Sequence, residues 1–365
     1  MLFRSAEMTA LGLPVPPGFT VTTEAYRRYL AHPGPLPPDL HAEVARHLGQ
    51  LEVQTGKHFG DPLNPLLLSV RSGGPVSMPG MMETVLNLGL TDAAIRQAPL
   101  HDLRFMLDAY RRLIQMYGEV VAGIDHARFT AELKRVEEAH SPRLTIDALF
   151  DLVQAYGDVY LDATGAGFPQ DPREQLFAGI AAVFESWNAP RAHVYRAECG
   201  ISEAAGTAAN VMQMVFGNRD VHSATGVCFS RDPATGRPGL YGEFLVRAQG
   251  EDVVSGTETP GPVAEMRQVL PAAYDELAQA VARLEAHYGD GQDVEFTVES
   301  GRLYILRTRA AKRPATAALR AAVDLTAEGL GDRALGAGRR VSGSVSSPMS
   351  RRARRRTIAT TKEER

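Results

Sequence analysis

A mixed α/β fold with a helical insert follows from three changes of texture along the chain. Residues 10–95 mix short apolar runs with proline and glycine, as in "LGLPVPPGFTVT" and "PLNPLLLSVRSGG", which suits strands and loops with an occasional helix. Residues 97–187 carry apolar side chains at three- and four-residue steps, the helical period. Residues 190–310 return to alternation in "LYGEFLVRAQGE" and "QDVEFTVESGRLYILRTR", the strand period. These textures divide the chain at 1–96, 97–187, 188–332 and 333–365, with no internal repeat.

Each element has a local cause. The run Leu66–Val70, bounded by Arg71 and Gly-Gly-Pro, reads as a buried strand leaving a sheet into a loop. A guanidinium at the end of such a strand needs an anionic partner, either a nearby carboxylate or a bound phosphate. In "LRFMLDAYRRLIQMYGEVV" the residues Leu103, Met106, Leu107, Tyr110, Leu113, Ile114, Tyr117, Val120 and Val121 form one helical face, and Arg104, Asp108, Arg111, Gln115 and Glu119 form the other. A further helix opens at "QDPREQLFAGIAAVFESW", with Asp171 as N-cap, Pro172 at the first position and Glu174 completing a capping box.

The segment "DVEFTVESGRLYILRTR" reads as a hairpin. Val294, Phe296 and Val298 alternate with Asp293, Glu295 and Thr297, and a three-residue loop Glu299-Ser300-Gly301 places the glycine at positive φ. That register pairs 298 with 302, 296 with 304 and 294 with 306, adds Tyr304 and Leu306 to the apolar face, and sets Arg307 across from Asp293. Two carboxylates two residues apart on a strand lie about 7 Å apart at their Cα atoms, within reach of one or two metal ions. The same pattern also suits a solvated face with an ordinary ion pair.

Composition narrows the function classes. Hydrophobic residues make up 44% of the chain, enough for a sizeable core. The two cysteines, Cys199 and Cys228, exclude a disulfide framework and fit a reducing, cytoplasmic compartment. No apolar segment reaches the ~18 residues of a membrane span. The net charge of −4 is uneven, because residues 333–365 hold ten Lys/Arg against two Glu. The chain before them has 29 basic and 41 acidic residues, a net of −12, which is a poor surface for nucleic acid.

Nine segments, taken in order from about residue 6 to about residue 330, resemble the pyruvate, phosphate dikinase family in its N-terminal nucleotide-binding region. They include "AEMTALGLPVPPGFTVTTEAY", "SVRSGGPVSMPGMMETVLNLGL", "YRRLIQMYGEVV", "GFPQDPREQL", "VFESWNAPRAHVYR", "NVMQMVFGN", "TGVCFSRDPATG" and the two alternating stretches quoted above. The resemblance implies an ATP-grasp fold with ATP as substrate and Mg2+ as cofactor. It implies an enzyme that turns ATP, phosphate and pyruvate into AMP, diphosphate and phosphoenolpyruvate through a histidine on a swivelling domain. By the same resemblance Arg71 and Arg309 contact ATP phosphates and act in catalysis, and Glu243 faces the nucleotide. Asp293 and Glu295 position the metal, Arg307 lies beside them, and Met212 to Val215 follow the adenine-contacting strand. A Met/Val stripe is also what a core strand would show.

Three departures qualify the resemblance. The family's glycine-rich phosphate loop and its lysine align with Met1 and "MLFRS", so the chain is expected to start inside that loop. Arg307 stands where the family has glutamine, and it either competes with the metal for Asp293 or adds charge for phosphate. Past residue 332 the likeness stops, and the Arg/Ser/Gly composition there predicts disorder. The phosphohistidine and pyruvate-binding domains are expected to be missing, along with the region through which the family forms homodimers. The chain alone would then not complete the reaction unless another chain supplies a phosphohistidine domain. Two alternatives stay open: a phosphoenolpyruvate synthase-like ATP half, and a non-catalytic nucleotide-binding or interaction remnant. His126, His193 and His222 lie outside any phosphohistidine context and are expected to be surface or packing residues.

Overall fold

The computed structural model describes residues 2–31, 36–73, 78, 80–140, 144–255 and 259–330. Met1, Gly74 and Pro75 of the Gly-Gly-Pro break, and the basic tail at 333–365 lie outside the described residues. The chain divides into two compact units, Met1–Arg219 and Asp220–Arg365. The expected boundary at 187/188 therefore moves, and residues 188–219 belong with the first unit.

The first unit runs α1 (Leu2–Ala10), β1 (Gly18–Val21), α2 (Thr23–Ala31), α3 (Pro38–Thr55), β2 (Leu68–Ser72) and β3 (Thr84–Leu88). It continues with α4 (Asp92–Gln97), α5 (Leu100–Val120), α6 (His126–His140), α7 (Ile146–Thr164), α8 (Pro172–Ser186), α9 (Pro190–Cys199) and β4 (Ala209–Gln213). Its sheet has the order β1-β4-β2-β3 with every pairing antiparallel. Proline and glycine mark many helix ends. Pro38, Pro172 and Pro190 open α3, α8 and α9, while Gly56, Gly165 and Gly200 close α3, α7 and α9 in the left-handed conformation. Asp171 caps α8 by accepting from the Arg173 N–H at 2.9 Å, rather than through the capping box expected with Glu174.

Helices α5, α6 and α7 pack together, and α5 also lies on β3. The apolar face expected of α5 is buried at Met106, Leu107, Tyr110, Leu113, Ile114 and Tyr117. Its polar face is half-covered too, because α6 and α7 lie over it. There Asp108 pairs with Arg111 and Arg112 at 2.6 and 3.1 Å, and the Tyr156 hydroxyl donates to Gln115. Burial alone would raise the Asp108 carboxyl, but the two guanidiniums hold it below the ordinary value.

The second unit runs β5 (Ala224–Arg231), β6 (Pro238–Val246), α10 (Gly250–Ser255), β7 (Gly261–Pro262), α11 (Met266–Val269), α12 (Pro271–Tyr288), β8 (Gln292–Glu299), β9 (Arg302–Ala310) and α13 (Ala315–Ala327). Its antiparallel sheet has the order β7-β6-β5-β8-β9. Helix α12 packs on β5, β8 and β9, covering a face that carries Cys228, Val294, Phe296, Val298, Leu303 and Ile305, all fully buried. Gly226 lies on that face because a Cβ there would meet the Phe296 ring at 2.7 Å. No helix among the described residues is long and apolar enough to cross a membrane.

Candidate functional site

In the first unit the site residues sit on one face of the four-stranded sheet. Strand β2 places Val70 against Val211 and Val85, and this side carries the apolar core under α8. The next residue, Arg71, turns to the opposite face, where its direct cross-strand neighbours are Asn210 on β4 and Thr84 on β3. Thr20 on β1 pairs in turn with Asn210 and donates its hydroxyl to Asn210 Oδ1 at 2.8 Å. The row Thr20–Asn210–Arg71–Thr84 thus crosses the whole sheet on its polar side. Met212 belongs to the same face one row along, paired with Ser69 and Gly18. Met214 and Val215 lie past the strand end and are buried.

The second unit gathers the remaining residues more closely. Cross-strand register aligns Glu243 on β6, Val227 on β5, Glu295 on β8 and Arg307 on β9 in one row. The adjacent row on the same face holds Tyr241, Phe229, Asp293 and Arg309. Three carboxylates and two arginines therefore share two neighbouring rows on the face opposite α12. Glu243 and Tyr241 are exposed, whereas Asp293 is 6% exposed. Glu243 and Glu295 stand two strands apart, about 10 Å at the backbone.

The hairpin corrects the expected register. Its turn has two residues, not three: Glu299 pairs with Arg302, and both Ser300 (φ 49°) and Gly301 (φ 82°) are left-handed. A two-residue turn of this kind matches the twist of its strands. Ser300 tolerates the conformation because its hydroxyl donates to Asp220 at 2.5 Å and its N–H donates to Ser223 at 2.9 Å. Val298 and Phe296 then pair with Leu303 and Ile305, so these residues complete the apolar face instead of Tyr304 and Leu306.

The shorter turn alone would set Arg307 against Val294 and drive charge into the core. A β-bulge between Ile305 and Arg307, with Leu306 as the extra residue, restores the phase. Arg307 now lies opposite Glu295 and Arg309 opposite Asp293. The predicted Arg307–Asp293 pair does not form. Instead Arg307 Nη1 donates to Glu295 Oε1 at 3.2 Å, and Arg309 Nε donates to Asp293 Oδ2 at 2.7 Å. Burial pushes the Arg307 guanidinium below its ordinary value and Arg309 adds to this, against the pull of Glu295. Asp293 Oδ1 is buried with no hydrogen-bond partner among the described residues. An uncompensated carboxylate oxygen beside a second carboxylate fits a divalent cation, which takes up that acceptor. No group of three or more His, Cys, Asp or Glu is clustered for a metal among the described residues.

Asp220 braces the hairpin tip by accepting from Ser300, Ser223 and the His222 N–H. Burial opposes ionisation, but these donors hold its carboxyl below the usual carboxylate range. A folded value below the unfolded one contributes stability above about pH 3.9, and that contribution is lost as pH falls through the folded value. Asp220→Asn is therefore expected to speed amide exchange at the β8–β9 tip at pH 7. The difference from the unsubstituted chain should narrow as pH falls below about 3.9, and a difference that does not change with pH would refute the brace.

The predicted histidines are peripheral. His126 and His193 pair with Glu119 and Glu203, and His222 is exposed. Thr20, Asn210 and Thr84 escaped the sequence reading. The short strands "GFTV" and "ANVMQ" are not read as such from the sequence, and nothing local to either tells that strands so distant in sequence are adjacent in space.

The family model described as "Pyruvate phosphate dikinase, AMP/ATP-binding domain" matches residues 32–269 and 262–329. The chain belongs to that family. It is 49% identical over 333 residues, 90% of its length, to pyruvate, phosphate dikinase 2 of Zea mays. Over 343 residues it is 46% identical to pyruvate, phosphate dikinase of Rhizobium meliloti (strain 1021). The chain spans 38% of the length of each of these two dikinases. The mixed helices and antiparallel sheets are those of the ATP-grasp class expected for the dikinase nucleotide-binding region.

Proposed function

We propose that this chain is the ATP-binding module of a pyruvate, phosphate dikinase, which binds magnesium–ATP and presents its phosphates for transfer. The observation that carries the reading is the polar face of the second unit, where Asp293 keeps a buried oxygen with no partner among the described residues, in the row next to Glu295. Asp293 and Glu295 would hold Mg2+, which supplies charge neutralisation and orientation for the phosphates. Arg71 and Arg309 provide fixed cationic forks for the charge that develops on a transferring phosphoryl group. Glu243, exposed on the same face as the metal pair, faces the nucleotide, and Met212 lies toward the base. Phosphate is the second substrate, and the phosphoryl acceptor is a phosphohistidine domain outside the matched region. We place the reaction in the cytoplasm, consistent with two cysteines that form no disulfide.

Arg71→Ala tests the reading from the first unit. The substitution is expected to weaken magnesium–ATP binding by about 1.5–3 kcal/mol, the range for hydrogen bonds to a charged group. Calorimetric titration of the folded variant measures it, and an unchanged dissociation constant would remove Arg71 from the site.

A further inference from the structure

We infer that Gln249 is a further ligand-binding residue of the second unit, whose side-chain amide donates to a phosphate group over the charged face of the sheet. The inference rests on the reading of that face as a phosphate site and adds to it a residue from the loop after β6. The β5–β6 ladder runs one step past Val246, where the Arg247 N–H donates to Ser223 O at 2.9 Å and the backbone turns left-handed (φ 57°). The turn brings the chain back over the sheet, since a Cβ on Gly250 would lie 3.9 Å from Thr225 Oγ1. Thr225 alternates in phase with Val227 and Phe229, so it belongs to the face of Asp293 and Glu295. Leu245, Thr225, Thr297 and Tyr304 form a row of this face, and all four are buried. The neighbouring row is exposed at Glu243 and half-exposed at Glu295 and Arg307. Gln249 therefore belongs to the loop that covers one end of the face, next to the open row.

Gln249 is 5% exposed, and its Nε2 is buried with no hydrogen-bond partner among the described residues. Its backbone is fixed, because the N–H donates to Asp252 Oδ2 at 2.8 Å and the carbonyl accepts from the Asp252 N–H at 3.0 Å. The hydroxyls beneath the loop are engaged with the sheet: Thr225 donates to Phe296 O at 3.2 Å and lies 3.3 Å from the Thr297 hydroxyl. A buried amide donor left unmet is costly, so its presence calls for an acceptor. Adjacent rows on one face are about 7 Å apart, within reach of a long side chain rooted over the covered row. Arg307, Arg309 and the cation proposed at Asp293 and Glu295 make an anion the favoured acceptor there. A phosphate has oxygens enough to meet the amide as well as these cations. Nucleotide phosphate and inorganic phosphate share this chemistry, and titration separates them.

The full chain is titrated calorimetrically with magnesium–ATP and, separately, with inorganic phosphate. Gln249→Leu removes the unmet donor at similar volume, so its melting temperature should be unchanged or higher, while affinity should fall about tenfold or more. A loss confined to ATP assigns the amide to a nucleotide phosphate, and a loss confined to inorganic phosphate assigns it to that ion. Gln249→Glu sets an anion in place of the donor and should weaken the same ligand at least as much. Unchanged affinity for both ligands in Gln249→Leu would overturn the inference, and a lower melting temperature with it would make the amide a structural contact. Should Gln249→Leu fail to fold, the Gln249→Glu titrations decide, and unchanged affinities there overturn the inference equally. If the unsubstituted chain binds neither ligand, the nucleotide reading fails and Gln249 falls with it. Binding that loses its magnesium response in Asp293→Asn but is indifferent to both Gln249 variants rejects Gln249 alone.

Discussion

Arg231→Met is expected to destabilise the second unit by about 3–5 kcal/mol, the usual result of removing one partner from a buried ion pair. Arg231 is 4% exposed and binds Glu285 of α12 through two parallel N–H···O bonds of 2.9 Å. Its Nη2 also donates to Glu328, just past α13. Ser230 donates at 2.5 Å to Glu285 Oε1, which Arg231 Nε also binds, and receives the Gln292 N–H at 2.9 Å, so β5, β8 and α12 meet at one carboxylate. Without the guanidinium, Glu285 keeps a buried charge and a lone hydroxyl donor. Burial would lower the Arg231 guanidinium, but its carboxylate partners raise it, so it remains charged at any accessible pH. Amide exchange in β5 and α12 should accelerate accordingly. The double variant Arg231→Met with Glu285→Leu should recover much of the loss, since an apolar pair carries no desolvation penalty. A loss below about 1 kcal/mol in the single variant would show that Glu285 is compensated elsewhere.

Asp293→Asn should abolish most of the magnesium-dependent gain in ATP affinity, by about 100-fold or more. Disturbing only the partners of a metal ligand already costs 10–100-fold, which sets the lower bound. The change is nearly isosteric and keeps an oxygen for Arg309, so the hairpin should hold. Titrations with ATP across a magnesium series measure the effect, and an undiminished magnesium response would take Asp293 out of the metal site. Arg307→Gln provides the opposite case. Because Arg307 holds Glu295 and not Asp293, the competition expected with the metal moves to Glu295. Releasing that carboxylate should strengthen magnesium-dependent binding severalfold, in line with an ion pair of about 1 kcal/mol. Weakened binding would instead make Arg307 a phosphate ligand, and no response would refute both roles.

The hairpin shows how far local pattern reaches. Alternation in "DVEFTVE" put Asp293 and Glu295 on one face and the valines on the other, because a strand has no other way to project its side chains. It did not reveal whether the turn takes two residues or three. Ser300 is held left-handed by Asp220, a residue 80 positions away. Nor did it reveal the bulge at Leu306, which arises because the apolar pairs near the turn and the charged pairs beyond it demand different phases. Helix α12 was overlooked inside a region read as strands, although Leu277, Ala280, Val281 and Leu284 carry the helical period.

Residue pattern by itself determined the mixed fold, the helical insert, the caps at Asp171 and Pro172, the burial of the strand before Arg71, and the family through the order of its segments. Those features depend on neighbours within one turn or one strand, or on likeness along the chain. Tertiary structure alone decided which residues share a row: Arg71 with Asn210 and Thr20, Glu243 with Glu295 and Arg307, and Asp293 with Arg309. Such rows are set by hydrogen-bond register between strands up to about 190 residues apart. Register is chosen by the whole buried face at once, and no local stretch of sequence carries that information.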